Sequence, residues 1–362
     1  MRLFCGVLQK FLVCSTFSRR FLLIASRLHK TVPMTSKLQS TFSWGAFFKS
    51  NALLFAIVFG VATAFIGHAL PLSETFCRVV RTTVSLVQPV LIFLMLLLTF
   101  CKMSFGELRP GRLHFELLAV QGGAFLLCVA LSACPFFSDP FLNLLWQSAA
   151  ILFICPTGTA TAVVTSRLGG SAEFVASYTL LANLLTSLLL PLFVPVLHPS
   201  GHAEFFPSFF SVLGKVFPLL LLPLLTAWLL QLRSPRLCSR LISVPGLPFR
   251  LWCLTLALSV AVTVSNVLNE RVGFGVLCAV GLVSLLACAA QFALGRWVGA
   301  RRRRPITCSQ SMGQKNTVFA IWASTFLLNP ISALAPGFYC VWHNLYNTWQ
   351  LKHVDNISPD DK

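Results

Sequence analysis

The stretch Ser309-Gln310-Ser311-Met312-Gly313-Gln314-Lys315-Asn316-Thr317 is mostly polar or small, yet it interrupts a run that is otherwise hydrocarbon. Lys315 lies eleven residues past Arg304. At about 1.5 Å per residue this is roughly 16 Å, half of a ~30 Å bilayer core. A lysine at that depth costs roughly 2.5 to 3.5 kcal/mol on insertion scales, so it marks a functional position. An earlier stretch, Cys155-Pro156-Thr157-Gly158-Thr159-Ala160-Thr161, has the same character, about eleven residues from Arg167. Two interrupted apolar segments at matching depth point to a transporter site.

A chain that is 56% hydrophobic and only 10% charged, with a mean hydropathy of +0.79, has too little polar surface for a soluble globule. An all-α polytopic membrane protein is expected. The net charge of +18 is spread between apolar runs and forms no single basic patch, so nucleic acid is not the partner. Basic loops facing an anionic leaflet account for it. The 13 cysteines fall mostly in apolar runs without C-x-x-C spacing and read as buried thiols.

Ten apolar runs are each long enough to span: 52–70, 83–100, 117–137, 142–166, 174–197, 211–231, 251–268, 273–297, 306–328 and 331–350. The chain divides into a basic extension (1–43), a ten-span body (44–350) and a short tail (351–362). Residues 1–33 carry six basic side chains and no acid. Either a transit peptide or an over-extended gene start has this composition. The second reading makes Met34 the start and everything before it dispensable.

With both termini in the cytoplasm, the inner segments, counting Arg296 at the inner end of its run, hold 23 Lys/Arg and the outer loops 3, which fixes the expected orientation. The remaining two, Lys215 and Lys315, fall inside spans; Lys215 is near an outer end and snorkels. Ten spans split five plus five, and an odd unit inserts its second copy upside down. The fourth span of each half is the broken one, and the third carries one glutamine, Gln121 or Gln291. Two inverted five-helix repeats with a site between them are expected.

Backbone left unpaired at a break survives in a membrane only against protein or a wet cavity. Half-helix N-termini then attract anions, while unwound carbonyls and hydroxyls hold cations. The first break offers Pro156, Thr157, Gly158, Thr159 and Thr161, and the second offers Asn316 and Thr317. Thr179 and Asn183, four apart on the next span, share a face and could complete an oxygen-rich site with Thr161. The competing reading is that they only join helices. No acid lies at the depth of Lys315. An enzyme is disfavoured, because the seven histidines show no metal-ligand spacing. An ATP-driven pump is disfavoured by the absence of a G-x-x-x-x-G-K-[ST] loop.

The segments CPTGTATAVVTSRLGG, GQKNTVFAIW and NPISALAPGFYCVWHNLYNTWQ resemble the bile acid:sodium symporter family, from about residue 44 to residue 350. The resemblance implies two inverted five-helix repeats with broken helices 4 and 9 crossing at the midplane. It also implies a core of helices 3, 4, 5, 8, 9 and 10 and a panel of helices 1, 2, 6 and 7. Sodium-dependent members use a third-helix Gln, matched by Gln121, and a fifth-helix Thr, matched by Thr179; the Asn after the ninth-helix break matches Asn316. Elsewhere the chain departs. The family's carboxylate position reads Ser311, its Gln position reads Lys315, and its Ser-Asn pair reads Thr161-Ala162. Met312 and Gln314 flank the changed positions. Losing the anionic ligand and gaining an ammonium weaken a cation site, so sodium coupling does not follow from the resemblance.

The expected function is secondary transport of a small organic anion by alternating access in the plasma (bacterial inner) membrane. Bile acids, keto acids and other carboxylates all fit, and sodium is the sole bound ion in question. A proton-coupled or uncoupled carrier, or a channel, is the alternative. Lys315 is expected to replace a sodium ion, its ammonium among Gln121, Ser311 and carbonyls of the ninth-helix break.

Overall fold

A computed structural model describes residues 52–137, 139–197, 205–244 and 246–353. The N-terminal extension, the 198–204 connection and most of the tail lie outside the described residues, together with the expectations placed on them.

The described chain is α-helical and contains no strand. In order, the helices are α1 (Ala52–Ala69), α2 (Glu74–Cys101), α3 (Arg112–Ala133), α4 (Pro140–Ile154), α5 (Thr161–Arg167), α6 (Ala172–Leu197) and α7 (Phe205–Arg233). There follow α8 (Pro235–Ser243), α9 (Leu247–Asn269), α10 (Phe274–Ala300), α11 (Pro305–Gly313), α12 (Thr317–Leu327) and α13 (Leu334–Lys352). Each apolar run marked in the sequence contains one helix or, at 142–166 and 306–328, a pair of short ones. The short helix α8 lies between the sixth and seventh apolar runs and carries Arg236 and Arg240.

Six helices, α2, α3, α6, α7, α9 and α10, are long and apolar enough to cross a bilayer. Large apolar side chains stand exposed along the bundle, Phe59 at 68% and Leu86 at 67% among them. Water would penalise such a surface and lipid does not. The protein is an integral membrane protein.

Local sequence sets the helix ends. Asp139 caps α4 by accepting from the Phe141 and Leu142 amides at 2.9 and 3.1 Å, with Pro140 in the first turn. Ser73 caps α2 by accepting from the Phe76 amide. At the other end of α2, the Gln231 amide of α7 donates to the carbonyls of Phe100, Cys101 and Met103. Four helices pack together: α1 against α9, and α2 against both α9 and α7. Gly60 makes the first contact close, since a Cβ there would meet the Ala257 carbonyl. Within the second, Gln88 donates to Ser259 at 2.8 Å. α7 also packs along α6, which links this group to the rest of the bundle around α4 and α10 to α13.

The two breaks have different local causes. Pro156 disfavours helical geometry at Cys155, whose φ −49° and ψ 134° end α4. At the other break no proline acts. Gln314 turns extended, φ −86° and ψ 111°, directly after Gly313. Gly313 is packed so tightly on the Phe292 ring that no Cβ would fit.

Candidate functional site: two helix breaks that cross

Thr157 and Lys315 pair as the one antiparallel bridge among the described residues, which form helices and the turns between them. The Gly158 amide donates to the Gln314 carbonyl at 2.9 Å, and the Asn316 amide donates to the Pro156 carbonyl at 2.8 Å. Gly158 permits the approach: a Cβ there would lie 3.0 Å from the Lys315 carbonyl oxygen. Lys315 is 2% exposed and Thr157 1%.

The end of α4 shows what the buried side chains do. A helix leaves its last carbonyls without intrahelical donors, and inside a membrane each must be satisfied by protein. The Leu152 carbonyl accepts from Gln291 Nε2 at 3.3 Å. The Phe153 carbonyl accepts from Lys315 Nζ at 3.2 Å. The Ile154 carbonyl accepts from Thr186 Oγ1 at 2.7 Å and from Gln121 Nε2 at 3.2 Å, and the Cys155 carbonyl from the same Gln121 at 3.4 Å. Three helices and the second break thus converge on one helix terminus. That terminus carries roughly half a negative charge, and Lys315 brings its amine to it.

The structure places Lys315 differently from the sequence expectation. Its amine reaches a carbonyl of the fourth-span helix, across the crossing, instead of the carbonyls of its own break. Gln121 addresses the neighbouring carbonyls, so the two side chains do meet one helix end. Ser311 is fully buried and bonds back to the Thr307 carbonyl at 2.8 Å. Met312 packs with Leu117, Tyr178 and Phe174 in an apolar cluster.

The α11 terminus is served by neutral donors. Thr157 Oγ1 donates to the Ser311 carbonyl at 3.1 Å, and the Tyr339 hydroxyl donates to the Gly313 carbonyl at 2.7 Å. Gln314 donates to Gln310, Gln310 to Gln350 at 2.6 Å, and Gln350 to the Tyr346 hydroxyl at 3.3 Å, a buried amide chain running away from the break. Asn316 caps α12 by accepting from the Phe319 amide at 3.2 Å, which leaves its Nδ2 without a partner among the described residues. Thr317 opens α12 and is buried.

The remaining expected residues are turned inward on their own segments. Thr161 Oγ1 donates to the Gly158 carbonyl at 2.7 Å, while Thr159 is half-buried in the turn between α4 and α5. Thr179 donates to the Val175 carbonyl and Asn183 Nδ2 to the Thr179 carbonyl, at 2.8 and 2.7 Å. No bond joins Thr161 to either, although Asn183 Oδ1 is buried without a partner.

Two residues that the sequence reading passed over stand behind the glutamines. The Tyr178 hydroxyl donates to Gln121 Oε1, and the Tyr339 hydroxyl accepts from Gln291 Nε2 at 3.1 Å. The chain has 33 Phe and only 3 Tyr. Where Phe is this abundant, a buried tyrosine signals a hydroxyl that is needed, and all three tyrosines bond a partner here.

No protein-family model matches the chain, and no curated protein matches it.

Proposed function

We propose that the chain is a secondary transporter of the bile acid:sodium symporter type, moving a small organic anion by alternating access. In this reading ten spans form two inverted five-helix repeats, both termini lie in the cytoplasm, and the plasma (bacterial inner) membrane is the host. The observation that carries it is the crossing of two broken helices at Thr157 and Lys315, with an ammonium on the α4 terminus. Further support comes from the matched Gln–Tyr pairs, Gln121–Tyr178 and Gln291–Tyr339, one in each half. The packing of α1 on α9, and of α2 on α9 and α7, suits a panel, which α7 joins to the rest of the bundle through α6.

Lys315 acts as a tethered cation where relatives of this architecture would hold sodium. Neutral Ser311 in the carboxylate position removes the charge that would retain a free ion. The anionic substrate meets the capped start of α12, where Asn316 Nδ2 is a spare donor. Transport is then uncoupled or proton-coupled.

The test is uptake and counterflow of candidate carboxylates in proteoliposomes, with sodium gradients imposed at fixed pH and membrane potential. Saturable, trans-stimulated flux indifferent to sodium is expected. Lys315→Gln abolishes it, and adding Ser311→Glu restores part of a sodium-dependent flux. Sodium-driven accumulation that disappears when Gln121 or Lys315 is changed would overturn the tethered-cation reading. Flux without saturation or counterflow would mark a channel.

A further inference from the structure

Apart from the crossing, a cleft of ≈ 230 Å³ opens between the start of α3, the start of α6 and the turn joining α10 to α11. Arg109, Arg112, Arg302 and Arg304 line it, over His114 and Phe174. Glu116 accepts from Arg112 at 3.0 Å and from Arg302 at 3.2 Å. Arg109 and Arg304 have no carboxylate within ion-pair distance among the described residues. Among the described residues, four guanidinium groups are therefore held together with one ion-paired carboxylate.

A bias toward basic inner loops explains arginines in these segments. It does not explain why residues 109–112 and 302–304, about 190 positions apart in the sequence, converge on one concavity at the cost of mutual repulsion. His114 is spent on the floor. Its Nδ1 accepts from the Gly111 amide at 3.0 Å, so Nε2 carries the proton and donates to the Phe174 carbonyl at 3.2 Å. The imidazole is neutral in that arrangement and stacks on Phe174 at 3.8 Å. The positive charge of the cleft is thus entirely arginine, whose planar fork matches phosphate oxygens two at a time.

We propose that this cleft binds a phosphate group, either the headgroup of an anionic phospholipid or a free phosphate. Basic pockets between membrane helices on the cytoplasmic side suit lipid headgroups. The bound phosphate spans Arg109 of the first half and Arg304 of the second, and so ties the start of α3 to the α10–α11 turn. Nothing in this proposal requires the transport reading.

The experiment measures melting of the full chain reconstituted in phosphatidylcholine, in phosphatidylcholine with phosphatidylglycerol, and in phosphatidylcholine with millimolar inorganic phosphate. Phosphatidylglycerol raises the melting temperature if the source is lipid, and inorganic phosphate does so if it is free. Combining Arg109→Ala with Arg304→Ala, both exposed side chains, cuts the shift at least threefold. Arg236→Ala with Arg240→Ala, on α8, leaves it unchanged. Glu116→Gln removes the competing carboxylate and raises apparent affinity about threefold, a gain that a folding defect does not mimic. No shift with either source, or an equal loss in the α8 variant, overturns the proposal.

Discussion

Half-helices α4 and α11 both end inside the bundle with carbonyls that lack intrahelical donors, but only the α4 end draws on an ionisable side chain. The α4 end receives Gln121, Gln291, Thr186 and the amine of Lys315. The α11 end receives the hydroxyls of Thr157 and Tyr339, and beyond it the Gly158 amide meets the Gln314 carbonyl. Neutral donors are therefore sufficient to terminate a buried helix in this protein. Lys315 exceeds what the fold requires at α4, and that excess is the physical reason to assign it a function.

The largest expected effect separates the two roles. Lys315→Met leaves the Phe153 carbonyl without a donor, at about 1 to 3 kcal/mol. It also removes an ionisable group from a site only 2% exposed, which offsets that loss. Chemical unfolding in mixed micelles should find this variant at least as stable as wild type, while transport falls by about 100-fold or more. A variant that is clearly less stable would make the lysine a structural cap and dissolve the contrast between the breaks.

Gln121→Leu comes next. It strips two α4 carbonyls of a donor and leaves the Tyr178 hydroxyl without its acceptor. A loss of about 3 kcal/mol is expected by the same unfolding measurement. Gln291→Leu removes one carbonyl contact and one bond to Tyr339, and should cost about 2 kcal/mol. Equal losses would show that the two pairs are more alike than their bonding suggests.

At the α11 end, Thr157→Val deletes a single neutral bond to the Ser311 carbonyl. About 1 kcal/mol is expected, with transport reduced only in proportion to folded protein. Gly158→Ala should act more weakly still on stability. Its Cβ would sit 3.0 Å from the Lys315 oxygen, so the bridge must open by a few tenths of an ångström. That opening should appear as faster exchange of the Asn316 amide.

The positions of the breaks were legible for unequal reasons. Pro156 announces the first through its effect on Cys155, a rule that acts on neighbours in sequence. The second carries no proline and was visible only because Lys315 sits too deep. The partners of the α4 carbonyls were not legible. Gln121, Thr186, Gln291 and Lys315 are far apart in sequence, and their common target is a set of backbone atoms that no residue type reveals. Thr161, Thr179 and Asn183 bond within their own segments for a related reason. In a helix, a threonine hydroxyl or asparagine amide finds the carbonyl four residues back more readily than a distant partner, as Thr179 and Asn183 do.

Gly295 and Gly299 bring α10 against the backbone of α11 so closely that a Cβ would strike the Cys308 carbonyl at the first and the Arg304 carbonyl at the second. Ser309 adds a bond to the Phe292 carbonyl at 2.8 Å. Rods meshed in this way have no room to slide past one another, so α10 and α11 are tied into one pair that runs from the arginine turn to Gly313, two residues before Lys315. A displacement of the turn that carries Arg302 and Arg304 would therefore have to be shared by the segment in which the two broken helices cross.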